Sequence, residues 1–158
     1  MNDFLLFVND GNLEGIKETF SPDLLNTVDS SGDSALHIAV LKKNLPIVQF
    51  LIENGADVNI QNKLGKTALH HAGEQNAVDI AKLIIAHGGR LDIYDSYNNG
   101  PLWTATFNYN EKKERFEIVE LFLKHGADKN HKNNAGRSPL DFANQIESED
   151  ILRLFSQY

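Results

Sequence analysis

The stretch Ser34-Ala35-Leu36-His37-Ile38-Ala39 decides the fold of this chain, because its leading tetrapeptide returns three more times. The later copies are Thr67-Ala68-Leu69-His70, Gly100-Pro101-Leu102-Trp103 and Ser138-Pro139-Leu140-Asp141. Their shared leucines stand at positions 36, 69, 102 and 140, so the intervals are 33, 33 and 38 residues. A repeat of this length predicts a stack of small units whose neighbours complete each other's core.

A second apolar element recurs after each tetrapeptide, so the sequence predicts two helices per unit. The tetrapeptide opens the first helix, because serine, threonine and glycine are acceptable N-caps and proline fits the first helical position. Glycine ends the second helix in the left-handed conformation, and glycine or asparagine turns the chain between units. The second helices carry Ile47, Ile80, Ile118 and Ile151, the terminating glycines are Gly55, Gly88 and Gly126, and the turns lie at Gly32, Gly65, Asn98 and Gly136.

These features resemble the ankyrin repeat, a 33-residue helix pair with a Thr-Pro-Leu-His-x-Ala signature. Ser34–Ala39 and Thr67–Ala72 match the signature, and Asn54–Asn59 and His125–Asp128 are similar to the family's helix-end pattern. The resemblance implies an all-α fold, an ankyrin-repeat solenoid of helix-turn-helix units joined by β-turn fingers. We expect one domain over residues 1–158, with an N-terminal cap (1–28), repeats 29–61, 62–94 and 95–132, the last with a five-residue insert, and a C-terminal cap (133–158).

The composition is typical of a chain that folds without covalent or metal support. The 158 residues are 41% apolar, and the absence of cysteine excludes disulfides and thiolate zinc sites. The N-terminus lacks the basic flank of a secretory signal, and no apolar run approaches membrane-spanning length. We therefore expect a cytoplasmic protein that does not bind membranes and is a monomer when free.

The charge distribution indicates the class of partner. A formal charge of −7 disfavours nucleic acid, which requires clustered lysine and arginine. Residues 1–79 hold eleven acidic and five basic side chains, a net −6, whereas residues 80–158 hold eleven and ten, a net −1. The acidic first half predicts a basic protein partner; the alternative is that negative charge only maintains solubility.

Two motifs come close to chemical sites, but the repeat explains both. Gly65-Lys66-Thr67 ends like a phosphate-binding loop, yet Ile60 stands where the motif needs its first glycine. The segment 95–106 begins like a calcium loop, yet Tyr97 occupies its third ligand position and a threonine its twelfth. Neither motif therefore predicts a cofactor or a metal.

The histidines also predict no catalytic or metal site. His37 and His70 stand in the signature position, where the family resemblance implies a structural hydrogen bond near the helix cap. His71 cannot share a helix face with His70, because adjacent helical residues diverge by about 100°. His87 and His125 precede terminating glycines, where a histidine suits the helix dipole. We expect no catalytic residue, no cofactor and no metal.

The resemblance implies that a partner binds the concave surface formed by the turn tips and the exposed sides of the first helices. Mixed polar and apolar groups there are typical of a protein interface. The predicted partner-binding residues are Ser31, Asp33, Leu41, Lys42, Lys63, Leu64, Lys66, Glu74, Gln75, Tyr94, Tyr97, Asn99, Trp103, Phe107, Asn108 and Arg137.

The third full unit departs most from the pattern and is expected to give specificity. Trp103 replaces the signature histidine and Gly100 replaces the hydroxyl residue, so the local link that the family implies is lost. The other aromatic residues within the same sixteen positions are Tyr94, Tyr97, Phe107 and Tyr109. Aromatic residues are enriched where truncation weakens binding. We expect Tyr97 to be exposed at a turn tip, whereas Trp103 either binds the partner or fills space between repeats.

The five extra residues lie within 108–115, between the two helices of this unit. The i,i+4 spacing of Glu111 with Arg115, and of Lys113 with Glu117, predicts a solvated extension of the second helix. A recognition element is the alternative interpretation.

We expect a non-catalytic protein–protein interaction module that masks or inhibits its partner, because nearly the whole chain is repeat. Small free-standing stacks also resemble bacterial immunity proteins that neutralise a toxin, which is one alternative. An adaptor without inhibitory activity is another. An enzyme or small-ligand binder would need a cleft with converging titratable groups, which the sequence does not offer.

Overall fold

A computed structural model describes residues 3–108 and 116–158 of the chain. These residues form ten α-helices in five successive pairs and one 3₁₀ helix, Pro22–Leu24. The first, or inner, helices of the pairs are α1 Asp3–Asp10, α3 Ala35–Leu41, α5 Ala68–Gln75, α7 Pro101–Phe107 and α9 Pro139–Gln145. The second, or outer, helices are α2 Leu13–Thr19, α4 Leu45–Glu53, α6 Val78–Ala86, α8 Phe116–Lys124 and α10 Glu149–Phe155.

Each inner helix packs on the next inner helix, and α4, α6, α8 and α10 form a second row. The repeated apolar side chains lie between the rows and are buried, including Leu36, Leu69, Leu102, Ile47, Ile80, Ile118 and Ile151. Leu140 is only partly buried. The arrangement confirms the predicted all-α repeat fold. None of the helices in the described ranges is long and apolar enough to cross a membrane.

The loops between helix pairs form four fingers, residues 29–33, 62–66, 95–99 and 133–137. Each finger opens with an aspartate or asparagine whose Oδ1 atom accepts the N–H groups two and four residues further on. These residues are Asp29, Asn62, Asp95 and Asn133. The predicted turn residues are left-handed, with φ of 80° at Gly32, 74° at Gly65, 62° at Asn98 and 72° at Gly136. The same short side-chain turn therefore builds every finger.

Hydrogen bonds join each finger to the next one. The N–H of Lys63 donates to the Ser31 carbonyl at 3.1 Å, and the N–H of Ser96 donates to the Leu64 carbonyl at 2.9 Å. In the third junction the N–H of Asn134 donates to the Tyr97 carbonyl at 3.0 Å. The fingers therefore form a continuous row at one edge of the stack.

The signature histidines connect each helix cap to the following finger. The N–H groups of Ser34 and Thr67 donate to Nδ1 of His37 and His70 at 3.1 and 3.0 Å. Because Nδ1 accepts, Nε2 carries the proton and donates to the next finger's carbonyl. His37 donates to the Lys66 carbonyl, and His70 to the Asn99 carbonyl, each at 3.0 Å. This geometry is the local hydrogen bond that the family resemblance implies.

The insert is only partly described. Asn108 caps α7, residues 109–115 lie outside the described ranges, and α8 begins at Phe116. The predicted pairs of Glu111 with Arg115 and of Lys113 with Glu117 therefore fall outside those ranges too. Glu117 itself lies 3.3 Å from the Lys82 ammonium of α6, which links two outer helices.

Helices α5 and α7 pack so closely at Gly73 that only glycine fits there. A Cβ atom on Gly73 would lie 2.9 Å from Oγ1 of Thr104 and 3.0 Å from the Pro101 carbonyl oxygen. The Thr104 hydroxyl is held in place, because it donates to that carbonyl at 2.8 Å. The close approach therefore depends on the missing side chain.

We expect Gly73→Ala to lower the free energy of unfolding by about 1 kcal/mol. Alanine gains about 1 kcal/mol of helix propensity, but overpacking against α7 costs about 1–3 kcal/mol. Urea unfolding measures the difference. Gln49→Ala, on the exposed side of α4, is the control and should change stability by less than about 0.5 kcal/mol. A more stable Gly73→Ala protein would contradict the tight contact.

Candidate partner-binding surface

The fingers and the ends of the inner helices form one face, here called the finger face. It comprises residues 29–33, 62–66, 95–99 and 133–137, with residues 41–42, 74–75, 107–108 and 145 of the helix ends. At its centre, between the fingers of the second and third full units and helices α5 and α7, lies an open groove of about 600 Å³. Predicted residues that line the groove are Leu64, Lys66, Glu74, Gln75, Tyr97, Asn99, Trp103, Phe107 and Asn108.

Three large apolar side chains of the groove are exposed. Leu64 is 51% exposed, Tyr97 63% and Phe107 57%. Leu64 and Tyr97 occupy the same position in successive fingers, and Phe107 closes the groove from the end of α7. Apolar groups that cluster in one exposed groove are typical of an interaction site, whereas scattered ones are not.

An aromatic cluster supports Phe107 from below. The ring centroids of Trp103 and Phe107 lie 6.1 Å apart, and those of Phe107 and Phe142 lie 5.2 Å apart. Trp103 is only 9% exposed, so most of its surface fills space between repeats and only its edge reaches the groove. Phe142 was not predicted, although the 38-residue interval places it in register with Thr104. Thr104 lines the groove and was not predicted either.

Tyr94 lies apart from the exposed aromatic residues. Its ring stacks on His131, with centroids 3.7 Å apart and planes 10° apart. A Cβ atom on Gly100 would lie 3.3 Å from the Tyr94 ring, so glycine at the cap leaves room for the stack. Nε2 of His131 also lies 3.2 Å from the Asn98 carbonyl. This contact joins the two units at the junction where Trp103 replaces the signature histidine and its bond to the next finger. Tyr94 therefore contributes to packing between units rather than to the exposed groove.

A polar link between finger and inner helix borders the groove on each side. Lys66 donates to Glu74, and Arg137 donates to Gln145 at 3.3 Å. Both links join residues eight positions apart, so they occupy the same place in their units. In the third full unit Asn99 and Phe107 stand at these positions and form no such link. The groove opens where the polar link is replaced by an aromatic side chain.

Glu74 is ionised at the edge of the groove. Burial by itself would raise the pKa of Glu74, but hydrogen bonds from His71 and Lys66 outweigh it and lower the pKa to about 2. Nδ1 of His71 lies 3.0 Å from the Glu74 carboxylate. This network fixes the Glu74 side chain, so the polar border of the groove is preorganised.

His71 of α5 lies next to His37 of α3. The sequence prediction considered only whether His71 shares a helix face with His70, so it did not include this contact. The two rings meet edge to face at 5.6 Å, and Nε2 of His71 lies 3.8 Å from Asp33. Asp33, His37 and His71 are close enough to suggest a metal site. Both nitrogens of His37 are already used, by Ser34 and by the Lys66 carbonyl. Among the described residues of this cluster, only Asp33 and His71 retain a ligand atom, too few for a closed zinc site.

The charges of the finger face differ from those of the whole chain. Its cations are Lys42, Lys63, Lys66 and Arg137, and its carboxylates are Asp29, Asp33, Glu74 and Asp95. Four cations and four carboxylates give no net charge, so the formal −7 lies on the rest of the chain. The prediction of a basic partner came from the net −6 of residues 1–79, and the finger face does not carry that charge.

The remaining predicted residues flank the groove along the same face. Ser31 and Lys63 lie on adjacent fingers toward the N-terminus, and the N–H of Lys63 donates to the Ser31 carbonyl. Leu41 and Lys42 end α3, and Asp33 accepts a hydrogen bond from the Asn62 side chain at 2.7 Å. Arg137 lies on the last finger. Apart from Tyr94, the predicted set is therefore continuous along the face.

Comparison with known proteins gives several relatives. The chain is 26% identical over 160 residues to an intracellular phospholipase A2 of Caenorhabditis elegans, covering 97% of this chain and 15% of that protein. It is 32% identical over 136 residues to the probable 26S proteasome regulatory subunit p28 of Saccharomyces cerevisiae, covering 84% and 58%. It is 32% identical over 121 residues to protein phosphatase 1 regulatory subunit 27 of Homo sapiens, covering 75% of each. The chain thus spans less than two thirds of the first two relatives.

The sequence profile of the ankyrin repeats, in three copies, matches residues 4–95 and 36–133. These matches cover more than half of the chain and include the signature histidines and helices α2 to α8. The chain belongs to the ankyrin-repeat family.

Proposed function

We propose that this chain binds another protein along the finger face and that occupying the partner's surface is its function. Ankyrin repeats indicate a protein–protein interaction module. The observation that carries the proposal is the exposure of Leu64, Tyr97 and Phe107 in one groove. A groove with mixed polar and apolar lining supports a protein partner more than a small ligand, which is bound in an enclosed pocket.

We propose further that binding masks or inhibits the partner. Two relatives that are 32% identical over most of this chain are named as regulatory subunits, one of the proteasome and one of a phosphatase. Neutralisation of a toxin, as in an immunity protein, and tethering without inhibition are the alternatives. Loss of the captured partner's activity on binding would support masking, whereas unchanged activity would leave an adaptor.

The proposal includes no catalytic role for this chain. Two relatives are named as enzymes, a phospholipase and a palmitoyltransferase, and the chain corresponds to only 15% and 19% of their lengths. We propose a cytoplasmic monomer, which cell fractionation and light scattering would test.

We expect Tyr97→Ala and Phe107→Ala each to weaken binding of the natural partner by about 1–2 kcal/mol, because exposed aromatic residues in a groove are typical of binding hot spots. The partner is captured from the native cell extract, identified by mass spectrometry, and titrated calorimetrically against each variant. Leu45→Ala, which truncates an exposed leucine at the start of α4, is the control. Unchanged affinity for both variants, with unchanged melting temperatures, would contradict the assignment of the groove.

A further inference from the structure

We infer that the segment occupying the groove is an extended, acidic stretch of the partner protein that carries one large apolar side chain. The inference rests on the proposed function and adds the chemistry of the partner. The charge of the partner segment is inferred from the positions and hydrogen bonds of the charged side chains on the finger face. The apolar part of the groove determines its anchor.

The carboxylates of the finger face accept hydrogen bonds within the protein. Asp29 and Asp95 each accept two N–H groups of their own finger, and Asp33 accepts the Asn62 amide. Glu74 accepts from Lys66 and His71. Both oxygens of the two carboxylates that line the groove, Glu74 and Asp95, accept such bonds, so a basic segment in the groove would compete with them. Such competition disfavours a basic segment.

The cations of the finger face are more available. Lys42, Lys63 and Arg137 are exposed, and none of them forms an ion pair with any of the described residues, although Arg137 donates to the neutral amide of Gln145. Lys63 lies on the finger before Tyr97, and Arg137 lies on the finger after it, so cations border the groove on both sides. An acidic segment that crosses the groove would meet one cation at each end.

The apolar part of the groove accepts one large side chain. Tyr97 and Leu64 form its finger side and Phe107 its helix side, while the Trp103 edge lies below. The amide of Gln75, half-buried in the groove, forms no hydrogen bond with the described residues and is free to pair with an extended backbone. An aromatic or long aliphatic side chain between Tyr97 and Phe107 would bury the exposed apolar surface.

The test uses a displayed library of random twelve-residue peptides selected against the wild-type protein. We expect enrichment of peptides with several aspartates or glutamates around one aromatic or aliphatic residue. A basic or uncharged consensus would overturn the charge assignment. No consensus at all would overturn the inference, while the capture experiment with Tyr97→Ala and Phe107→Ala would still test the proposed function.

The consensus peptide is then synthesised with a fluorophore and titrated by fluorescence anisotropy. We expect Lys63→Glu with Arg137→Glu to weaken its binding about tenfold, because two attractive charges become repulsive. Lys82→Glu with Arg153→Glu, on the outer helices, changes the net charge equally and should leave affinity within about twofold. Equal losses in both double variants would overturn recognition by the face. Circular dichroism confirms that each variant is folded.

The apolar anchor is tested separately with the same peptide. Phe107→Asp should abolish measurable binding, and replacing the apolar residue of the peptide by serine should have the same effect. Unchanged binding in either case would overturn the anchor. Phe107 is exposed at the end of α7, so the melting temperature should change little.

Discussion

Phe122→Ala is expected to lower the free energy of unfolding by about 3–5 kcal/mol. Phe122 is fully buried in α8, between the inner and outer rows of helices. Truncation removes the burial free energy of the ring and leaves a cavity, because the surrounding helices are held by their own caps and fingers and relax only in part. Urea unfolding followed by circular dichroism measures the loss.

Phe107→Ala is the matched control, since it removes the same ring from an exposed site. Its expected effect on stability is below about 1 kcal/mol, because Phe107 is more than half exposed and the contacts it loses include those with Trp103 and Phe142. Similar losses for the two variants would contradict the burial of Phe122. A stack of units need not unfold in one step, so hydrogen exchange should show the largest loss of protection in the last two units.

Lowering the pH from 7.5 to 5 is expected to destabilise the protein by about 2 kcal/mol through His70 alone. Burial lowers the pKa of His70 from 6.5 to about 4, against the opposing effect of its bond to the Asn99 carbonyl. Burial also lowers the pKa of His37. Below pH 6.5 the unfolded chain binds a proton at each ring that the folded chain does not. Stability is therefore complete above pH 6.5 and decreases as the pH falls toward 4.

The test compares urea unfolding of the wild type and of His70→Gln at both pH values. The variant is less stable at pH 7.5, because it loses the finger bond, but its stability should decrease less between pH 7.5 and 5. Ile84→Val is the control: it weakens the core without removing a titrating group, so it should keep the wild-type pH dependence. If the stability of His70→Gln decreased between pH 7.5 and 5 as much as that of the wild type, the pH dependence could not be assigned to His70. Glu74 affects stability only at lower pH, because its contribution to the free energy of unfolding decreases as the pH falls from 4.5 toward 2.

The fold was predictable from the sequence because each repeated residue has a local structural reason. The tetrapeptides open the inner helices, and left-handed residues turn the fingers, at the expected positions. The residues that start the side-chain turn, Asp29, Asn62, Asp95 and Asn133, recur in the sequence at the same intervals, although the turn itself was not predicted.

The groove was less predictable, because it depends on contacts between units. Distance along the chain grouped Tyr94 with the exposed aromatic residues and left open whether Trp103 binds the partner or fills space between repeats. In the structure Tyr94 packs on His131 and Trp103 is largely covered by neighbouring units. The contact between His37 and His71 was not predicted for the same reason, since 34 positions separate them and each lies in a different helix. Net charge likewise says nothing about which charges share a face.

The hydrogen bonds of His37 and His70 end on main-chain carbonyls of residues 66 and 99. A carbonyl is the same whichever amino acid carries it, so the bonds that join successive units place no demand on those side chains. Lys66, Asn99 and Arg137 occupy equivalent positions in their fingers and are chemically unlike one another. Substitutions of these side chains can therefore change what the surface binds, one finger at a time, without altering the hydrogen bonds that join the units.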